Sequence, residues 1–490
     1  MAIQYSELQG AFGRQAHYRP QRFRARELLS PLANPELRIA GKHYPLLDVS
    51  TNGAAISAPI DIDGLHVGGA VEADLFVHGR SLQKVRGRVA RIEHTPRGVR
   101  IGIGLVGSYF DLEQARRIDS RAALEHQLTT GPHSASSAVP RALLDAVSEA
   151  VHVVQYYKRA LQAHEEDARR AGEQAVCELA AQAYEKLAPA YAVLRERASD
   201  AALEVLSDKR ALAAAKHYTE TMLTPLLLSA PMIRRAYEKP LGYPGDYQVM
   251  LHYYDDAFEG DTAFAKAFHK LFIRHPLSAG VCTRKDFVVG KLTADLHALR
   301  ARGDLSPFQV TSLGCGPAKE VPGFVEALPE WQGVVHFRLI DQEPRTLQVA
   351  FDAAQRALST SPGSSFVECL NLSFGQLLKQ PALLKAGGPQ NFIFSTGLFD
   401  YLPLPTARQL IAALYDCLKP GGTMIIGNAK GPNRYFFCPE FVLDWSLIYR
   451  SLDDMKDMAK GLPGDAQTSI ELESGEAYWF LEIRKPRRDD

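Results

Sequence analysis

Val310-Thr311-Ser312-Leu313-Gly314-Cys315-Gly316-Pro317-Ala318-Lys319-Glu320 reads as a strand running into a glycine turn. Phe308, Val310 and Leu313 supply the apolar run, and Gly314 and Gly316 remove the Cβ atoms that would keep a ligand away from the backbone. A helix is expected from Ala318. Val334-Val335-His336-Phe337-Arg338-Leu339-Ile340 is the next strand and ends on Asp341, the position from which an acidic side chain reaches ribose hydroxyls in nucleotide-binding sheets. Asn391-Phe392-Ile393-Phe394-Ser395 reads as a buried strand, and Leu418-Lys419-Pro420-Gly421-Gly422 as the close of a helix before the strand Thr423-Met424-Ile425-Ile426. Strands and helices alternate from about Phe308 to Ile426, so the fold expected here is a doubly wound, Rossmann-like parallel sheet.

Glycine turn, acidic strand end, central strand and Leu-Lys-Pro-Gly-Gly corner occur in an order that resembles the class I S-adenosylmethionine-dependent methyltransferases, over residues 301–490. The resemblance implies S-adenosylmethionine as co-substrate. It places Gly314, Cys315 and Gly316 against the methionine part, Asp341 on the ribose, Asn371 near the adenine, and Ser395 and Thr396 along the transfer axis. Two positions depart from the family pattern: Ser312 stands where an acidic residue is usual, and Ala318 where a third glycine is usual. A related sheet that binds NAD or nothing is the alternative, against which the Leu-Lys-Pro-Gly-Gly corner speaks.

At 490 residues the chain has room for two to four domains. Lys+Arg and Asp+Glu both number 56, so there is no overall charge to hold a nucleic acid, and none is expected as partner. Six cysteines, Cys177, Cys282, Cys315, Cys369, Cys417 and Cys438, have no paired spacing; buried thiols are expected, without a metal site or disulfide framework. No apolar run reaches membrane-spanning length and the N-terminus lacks a signal pattern, so a cytoplasmic protein without a transmembrane segment is expected.

Residues 1–20 show no period and are expected to form a partly ordered arm. From 21 to 112, stretches such as Val71–Val77 and Val99–Leu105 alternate at period two, the pattern of a small antiparallel β-barrel. Leu47–Ile56 is a strand interrupted by a short polar loop. With Arg22 and Arg26 four apart and a downstream Asp48, Ser50 and Gly53, this segment resembles the PilZ domain, which implies cyclic di-GMP as a regulatory ligand. Guanidinium forks grip phosphates and stack on guanine, and a carboxylate and a hydroxyl meet base edges. A basic arm beside an Asx turn is the plainer reading.

Residues 113–139, with Gly131-Pro132-His133-Ser134-Ala135-Ser136-Ser137, are expected as a linker. Residues 140–235 read as a helical bundle, with Leu143, Leu144, Val147, Val151, Val154, Tyr157 and Leu161 at helical spacing and Pro189 separating or kinking two later helices. The bundle is a candidate for signal transmission or for a homodimer contact. Residues 236–300 are expected to carry a substrate lid, Glu238–Met250, and a helical lead-in around Ala263 to Arg274. Two glycines, two prolines and two tyrosines mark the lid as an ordered loop.

After the central strand the chain continues Ser395-Thr396-Gly397-Leu398-Phe399-Asp400-Tyr401-Leu402 rather than with the Asn/Asp-Pro-Pro-aromatic motif of nucleic-acid amino-methylases. The lid, this strand end and Asp444-Trp445-Ser446-Leu447-Ile448-Tyr449-Arg450 together resemble bacterial methyltransferases that make 3-hydroxypalmitic acid methyl ester, a quorum signal. The resemblance implies a small acyl substrate methylated on its carboxylate. Arg450 or Lys239 is the expected counter-charge, Tyr243, Tyr247, Tyr401 and Tyr449 the orienting donors, and Asp246 and Asp400 positioning carboxylates. A cyclic di-GMP receptor with a methyltransferase-like interaction module and a protein methyltransferase acting on a signalling partner are the competing readings.

Overall fold

Period-two alternation builds the first of two units, which divide after Ser134 in the computed structural model. The structure describes residues 22–59, 64–95, 98–134, 138–328, 330–360, 365–431 and 434–487; the expected N-terminal arm lies outside them. Strands β1 (Phe23–Arg24), β2 (Glu36–Ile39), β3 (Lys42–Ser50), β4 (Gly53–Ala58), β5 (Ala70–Val77), β6 (Arg80–Thr95) and β7 (Gly98–Leu105) form one antiparallel sheet. Its order is β1-β3-β2-β5-β6-β7-β4, and a further β3–β4 pairing closes six of the strands into a barrel, leaving β1 on β3. Closure removes the open edges that would pair with other chains. Leu37, Ile56, Val71, Leu75, Val89, Ile101 and Ile103 fill the interior.

The stretch expected as a linker is largely the helix Leu112–Ser134. Helix formers run from Leu112 to Leu128, ahead of the Gly131-Pro132 pair that signalled a joint. Ala115 packs with the barrel core, and buried Asp119 accepts from Ser30 N (2.6 Å) and Ser30 Oγ (2.7 Å) and pairs with His78 Nε2 (2.7 Å). Residues 135–137 lie outside those described.

The second unit opens with helices Arg141–Ala171 and Glu173–Leu203. The break falls at Gly172 (φ +110°), and Pro189, expected to divide helices, lies inside a continuous one. A proline forfeits one hydrogen bond, but Val176, Ala180, Leu187, Leu194, Ala198 and Ala202 are buried along the whole length and hold the helix together. Helices Lys209–Met222, Pro231–Glu238, Tyr247–Asp255 and Ala263–Ile273 follow; every residue of the last is buried, as in a helix enclosed on all sides.

Helix Pro276–Arg300 leads into the second sheet, β8 (Phe308–Leu313), β9 (Val335–Asp341), β10 (Phe366–Asn371), β11 (Gln390–Ser395), β12 (Leu418–Ala429), β13 (Gln467–Leu472) and β14 (Tyr478–Arg484), in the order β10-β9-β8-β11-β12-β14-β13. The first five strands are parallel; β14 lies antiparallel between β12 and β13. Phe392, Phe394 and Ile425 face one layer of helices, and Ile393, Met424 and Ile426 the other. The Leu-Lys-Pro-Gly-Gly corner does not close a helix: that helix ends at Asp416, and the corner belongs to β12, with a register irregularity between Gln390 and Phe392 opposite it. The order reverses between β8 and β11, which opens a ligand crevice at their carboxyl ends.

Cys315, Cys417 and Cys438 are buried as expected, but Cys177, Cys282 and Cys369 are only half-buried. No described helix is long and apolar enough to cross a membrane.

Candidate active site

A cavity of about 400 Å³ occupies that crevice. Its floor is the turn after β8, where Gly314 (φ +65°), Gly316 (φ +52°) and Ala318 (φ +49°) all adopt left-handed backbone. Gly316 N–H donates to Asp341 Oδ2 (3.1 Å) and Glu343 N–H to Oδ1 (3.1 Å), so the turn fixes the carboxylate at the end of β9. Burial holds the Asp341 carboxyl above its ordinary range. Gly314, Cys315, Gly316, Asp341 and Thr396 line the cavity. Asn371 and Ser395 do not: Asn371 Nδ2 donates to Asp341 O (3.2 Å), Ser395 Oγ to Leu313 O (2.8 Å), and the lining comes from their successors Leu372, Ser373, Phe374 and Thr396.

The opposite wall is the lid. Asp246 caps helix Tyr247–Asp255, accepting from Gln248 N (3.0 Å) and Val249 N (3.1 Å), and also accepts from Arg235 Nε (2.8 Å). Gly245 passes so close to Trp445 that a Cβ there would lie 2.5 Å from the indole, and Trp445 Nε1 donates to Tyr401 Oη (2.8 Å). These contacts bring Tyr243, Tyr247 and Tyr401 to the cavity, joined by Tyr253 and Tyr254, which sequence reasoning missed. Burial, then Asp341, Asp246 and Glu343, push Tyr243 well above the ordinary tyrosine range, so it remains a donor.

The other expected catalytic residues are engaged elsewhere. Arg450 is buried outside the lining, its guanidinium donating to the carbonyls of Phe399 (2.7 Å) and Leu402 and to Asn428 Oδ1, where it ties strand ends together. Lys239 pairs with Asp444 and donates to Asp444 O (2.7 Å). Tyr449 packs between two cores with its hydroxyl buried and without a hydrogen-bond partner among the described residues. Asp400 does line the cavity; its Oδ1 accepts from Ala429 N (2.7 Å), and burial pushes its carboxyl up to about 6. Among the described residues, the cation lining the cavity is Arg284, on helix Pro276–Arg300, 8 % exposed. Nothing in the sequence marks it, because an arginine in a helix ordinarily reads as solvent-facing.

Besides Asp341 and Asp400, Glu320 brings a carboxyl to the cavity, and burial raises it above its ordinary value. His275 lines the cavity and is held near 3 by burial, then Arg195; burial raises the Cys315 thiol well above its ordinary value. Beyond Phe272 and Cys438, which both line the main cavity, lies a smaller, almost wholly apolar chamber of about 40 Å³ walled by Val154, Leu187, Leu194, Ala198, Phe268 and Val442 among others. Elsewhere, His252, Glu259 and His269 bring possible ligand atoms within 4.8 Å of one another. Met232 N–H donates to His269 Nδ1 (3.3 Å), which leaves Nε2 as the protonated nitrogen, and Lys266 and Lys270 stand nearby. His252 Nδ1 lies 3.0 Å from Glu259 Oε1, while His269 Nε2 stands 3.8 Å from the same oxygen.

In the barrel, Asp48, Ser50 and Gly53 meet at the β3–β4 turn. Arg22 Nε lies 3.2 Å from Asp48 Oδ1, and Arg100, not anticipated from sequence, pairs with Asp48 Oδ2. Ser50 Oγ donates to Asn52 Oδ1 (3.0 Å). A Cβ on Gly53 would lie 2.7 Å from Ile103 O, so that position requires glycine. Arg26 is exposed on the one-turn helix Ala25–Leu28.

No family profile matches the chain, and no curated protein sequence does either. Among solved structures, magnesium protoporphyrin IX methyltransferase from Synechocystis PCC 6803, with bound S-adenosylmethionine, is 17% identical with TM-score 0.32, covering 52% of this chain and 95% of that one. The N-methyltransferase NodS from Bradyrhizobium japonicum WM9 is 14% identical with TM-score 0.27, covering 44% and 99%. An O-methyltransferase family protein from Burkholderia thailandensis is 12% identical with TM-score 0.30, covering 45% and 63%. Likenesses this distant assign no activity to the chain.

Proposed function

We propose that this protein transfers a methyl group from S-adenosylmethionine to the carboxylate of a small acyl substrate such as a 3-hydroxy fatty acid, under control of cyclic di-GMP. The observation that carries the reading is one cavity with two unlike walls. One side offers a glycine turn and a fixed Asp341 at the sheet's switch point, and the other a wall of tyrosines and apolar side chains. The donor side fits the methyl donor: Asp341 keeps lone pairs for a diol, and Leu372, Ser373 and Phe374 stand beside the turn for a base.

A carboxylate acceptor asks for no proton transfer, so the carboxyls at the cavity need only position the ligands. A fatty carboxylate is already ionised at neutral pH, with a reference pKa of about 4 to 5 by analogy with side-chain carboxyls. Its oxygen forms the new bond to carbon as the carbon–sulfur bond breaks; the negative charge of the one and the positive charge of the other are lost together, and no proton moves. Rate then comes from alignment, roughly 7–11 kcal/mol in favourable cases, which Tyr243, Tyr247 and Tyr401 can supply by hydrogen bonds. The apolar chamber beyond Phe272 supports an acceptor with a hydrocarbon tail. For the regulatory ligand, the support is the meeting of Arg22, Asp48, Ser50 and Gly53 at one end of the barrel.

Labelled methyl transfer to a panel of plain and 3-hydroxy fatty acids, with cyclic di-GMP saturating, tests the reading. The expected result is organic-extractable, base-labile label that Asp341→Ala reduces at least about tenfold, the loss of a charge-assisted hydrogen bond. Label confined to protein, or none at all, overturns it.

A further inference from the structure

We infer that Arg284 is the carboxylate anchor of the cavity. The inference rests on the methyl-transfer reading and deepens it by assigning the group that recognises a ligand's carboxylate, a role that the resemblance led one to expect of Arg450 or Lys239.

Arg284 is a buried cation short of partners. Among the described residues its Nε has no hydrogen-bond partner, its Nη2 has Met250 Sδ at 3.7 Å, and its guanidinium carbon stands 5.0 Å from the centre of the ring of Tyr478, whose hydroxyl is its one close oxygen neighbour. It makes no ion pair with a described residue, although Asp400 and Glu320 also line the cavity and hold its charge in place from a distance. A guanidinium taken out of water costs several kcal/mol unless it is paired and hydrogen-bonded, and buried polar groups without partners are rare enough to require a reason. Arg450 shows the contrast within this same fold: its guanidinium is consumed by the carbonyls of Phe399 and Leu402 and by Asn428.

Position supplies the rest. A Cβ on Gly397 would lie 3.2 Å from Arg284 Nη2, so the guanidinium packs against the backbone just beyond β11, beside the switch point and between the two walls. Five donors in a rigid fork suit a carboxylate, which takes two of them side by side. Two carboxylates belong to the proposed reaction: the α-amino acid carboxylate of the donor and the acyl carboxylate of the acceptor. Both present the chemistry that Arg284 lacks.

Binding of S-adenosylmethionine, of decarboxylated S-adenosylmethionine and of a long-chain fatty acid is measured by calorimetry on the full chain, for the wild type, Arg284→Met and Arg284→Lys. The anchor predicts a roughly 10- to 100-fold loss in Arg284→Met for the ligand whose carboxylate is held, the size of a hydrogen bond to a charged group, with partial rescue in Arg284→Lys. If the donor is held, S-adenosylmethionine loses affinity and its decarboxylated form does not. If the acceptor is held, the fatty acid loses affinity and both donor forms keep theirs. The melting temperature of Arg284→Met is expected to hold or rise, since a buried unpaired charge is removed; a lower melting temperature with unchanged binding would make Arg284 structural and overturn the anchor. Unchanged binding of all three ligands overturns it while leaving methyl transfer standing. Failure of the wild type to bind any of them overturns both.

Discussion

Ala318 holds φ at +49° where a glycine would be at ease. Left-handed backbone costs an L-residue about 1–2 kcal/mol, while a glycine there regains only part of that, because its unfolded chain is freer by roughly 0.4–1 kcal/mol. Ala318→Gly is therefore expected to leave stability unchanged or raise it, by at most roughly 1.6 kcal/mol. Gly314→Ala, at φ +65° with the new Cβ 3.3 Å from Leu398 Cβ, is expected to cost stability and to weaken donor binding. Urea midpoints of the two variants check the pair; a larger loss from Ala318→Gly than from Gly314→Ala would contradict the strain account. Asp400 carries a second consequence. Burial raises its carboxyl from 3.8 to about 6, so the folded chain keeps a proton that the unfolded chain gives up. Below pH 3.8 the group contributes nothing; stability falls as pH rises from there to about 6, by roughly 2–3 kcal/mol, and then levels. Asp400→Asn, whose Oδ1 can still accept from Ala429 N, is expected to lack that decline. Melting temperatures of both proteins between pH 4 and 7 measure it, and parallel curves would show that the Asp400 proton does not matter.

At the level of elements, the helices before the sheet decide what the cavity can admit. Ala198, on helix Glu173–Leu203, walls the small chamber beyond Phe272 and Cys438. Ala198→Leu should fill it and exclude the end of a long acyl chain at about 0.8 kcal/mol for each displaced methylene, roughly a fourfold rise in KM apiece. Short-chain acceptors should be unaffected, and uniform KM changes across a chain-length series would place the tail elsewhere. These helices also mark the limit of sequence reading. The sheet is legible because Phe392, Ile393 and Phe394 are apolar on both faces and Asp341 ends its strand in the place a ligand requires. Helix Leu112–Ser134 is not, since a glycine and a proline near its end outweigh the helix formers before them when nothing shows Asp119 meeting Ser30 and His78. Tyr243 and Tyr247 are legible from the two glycines and two prolines around them, and Tyr401 from the resemblance that its strand end carries. Arg284 and Arg450 exchange places for a different reason: a guanidinium becomes an anchor or a strut according to which carbonyls tertiary packing brings to it, and local sequence carries no record of that.

Across the whole molecule, a six-stranded barrel with clustered Arg22, Asp48, Ser50 and Gly53 shares a chain with the cavity proposed for methyl transfer, and regulation of one by the other requires that the two sites exchange free energy. Arg22 and Arg100 are already held by Asp48, so a dinucleotide phosphate must draw at least one guanidinium away from the carboxylate, and binding there carries a local rearrangement with it. Such a ligand regulates only by binding the active and inactive states with different affinity, and the coupling is reciprocal. If cyclic di-GMP tightens acceptor binding tenfold, the acceptor must tighten cyclic di-GMP tenfold, about 1.4 kcal/mol seen from either side. The dissociation constant of cyclic di-GMP is therefore expected to differ with and without saturating fatty acid, by the factor that the dinucleotide imposes on the fatty acid. Arg22→Ala is expected to weaken dinucleotide binding and abolish the response while leaving methyl transfer without dinucleotide unchanged. Equal dissociation constants in the two titrations, in a protein shown to bind both ligands, would mean that the barrel and the cavity share a chain without sharing a binding equilibrium.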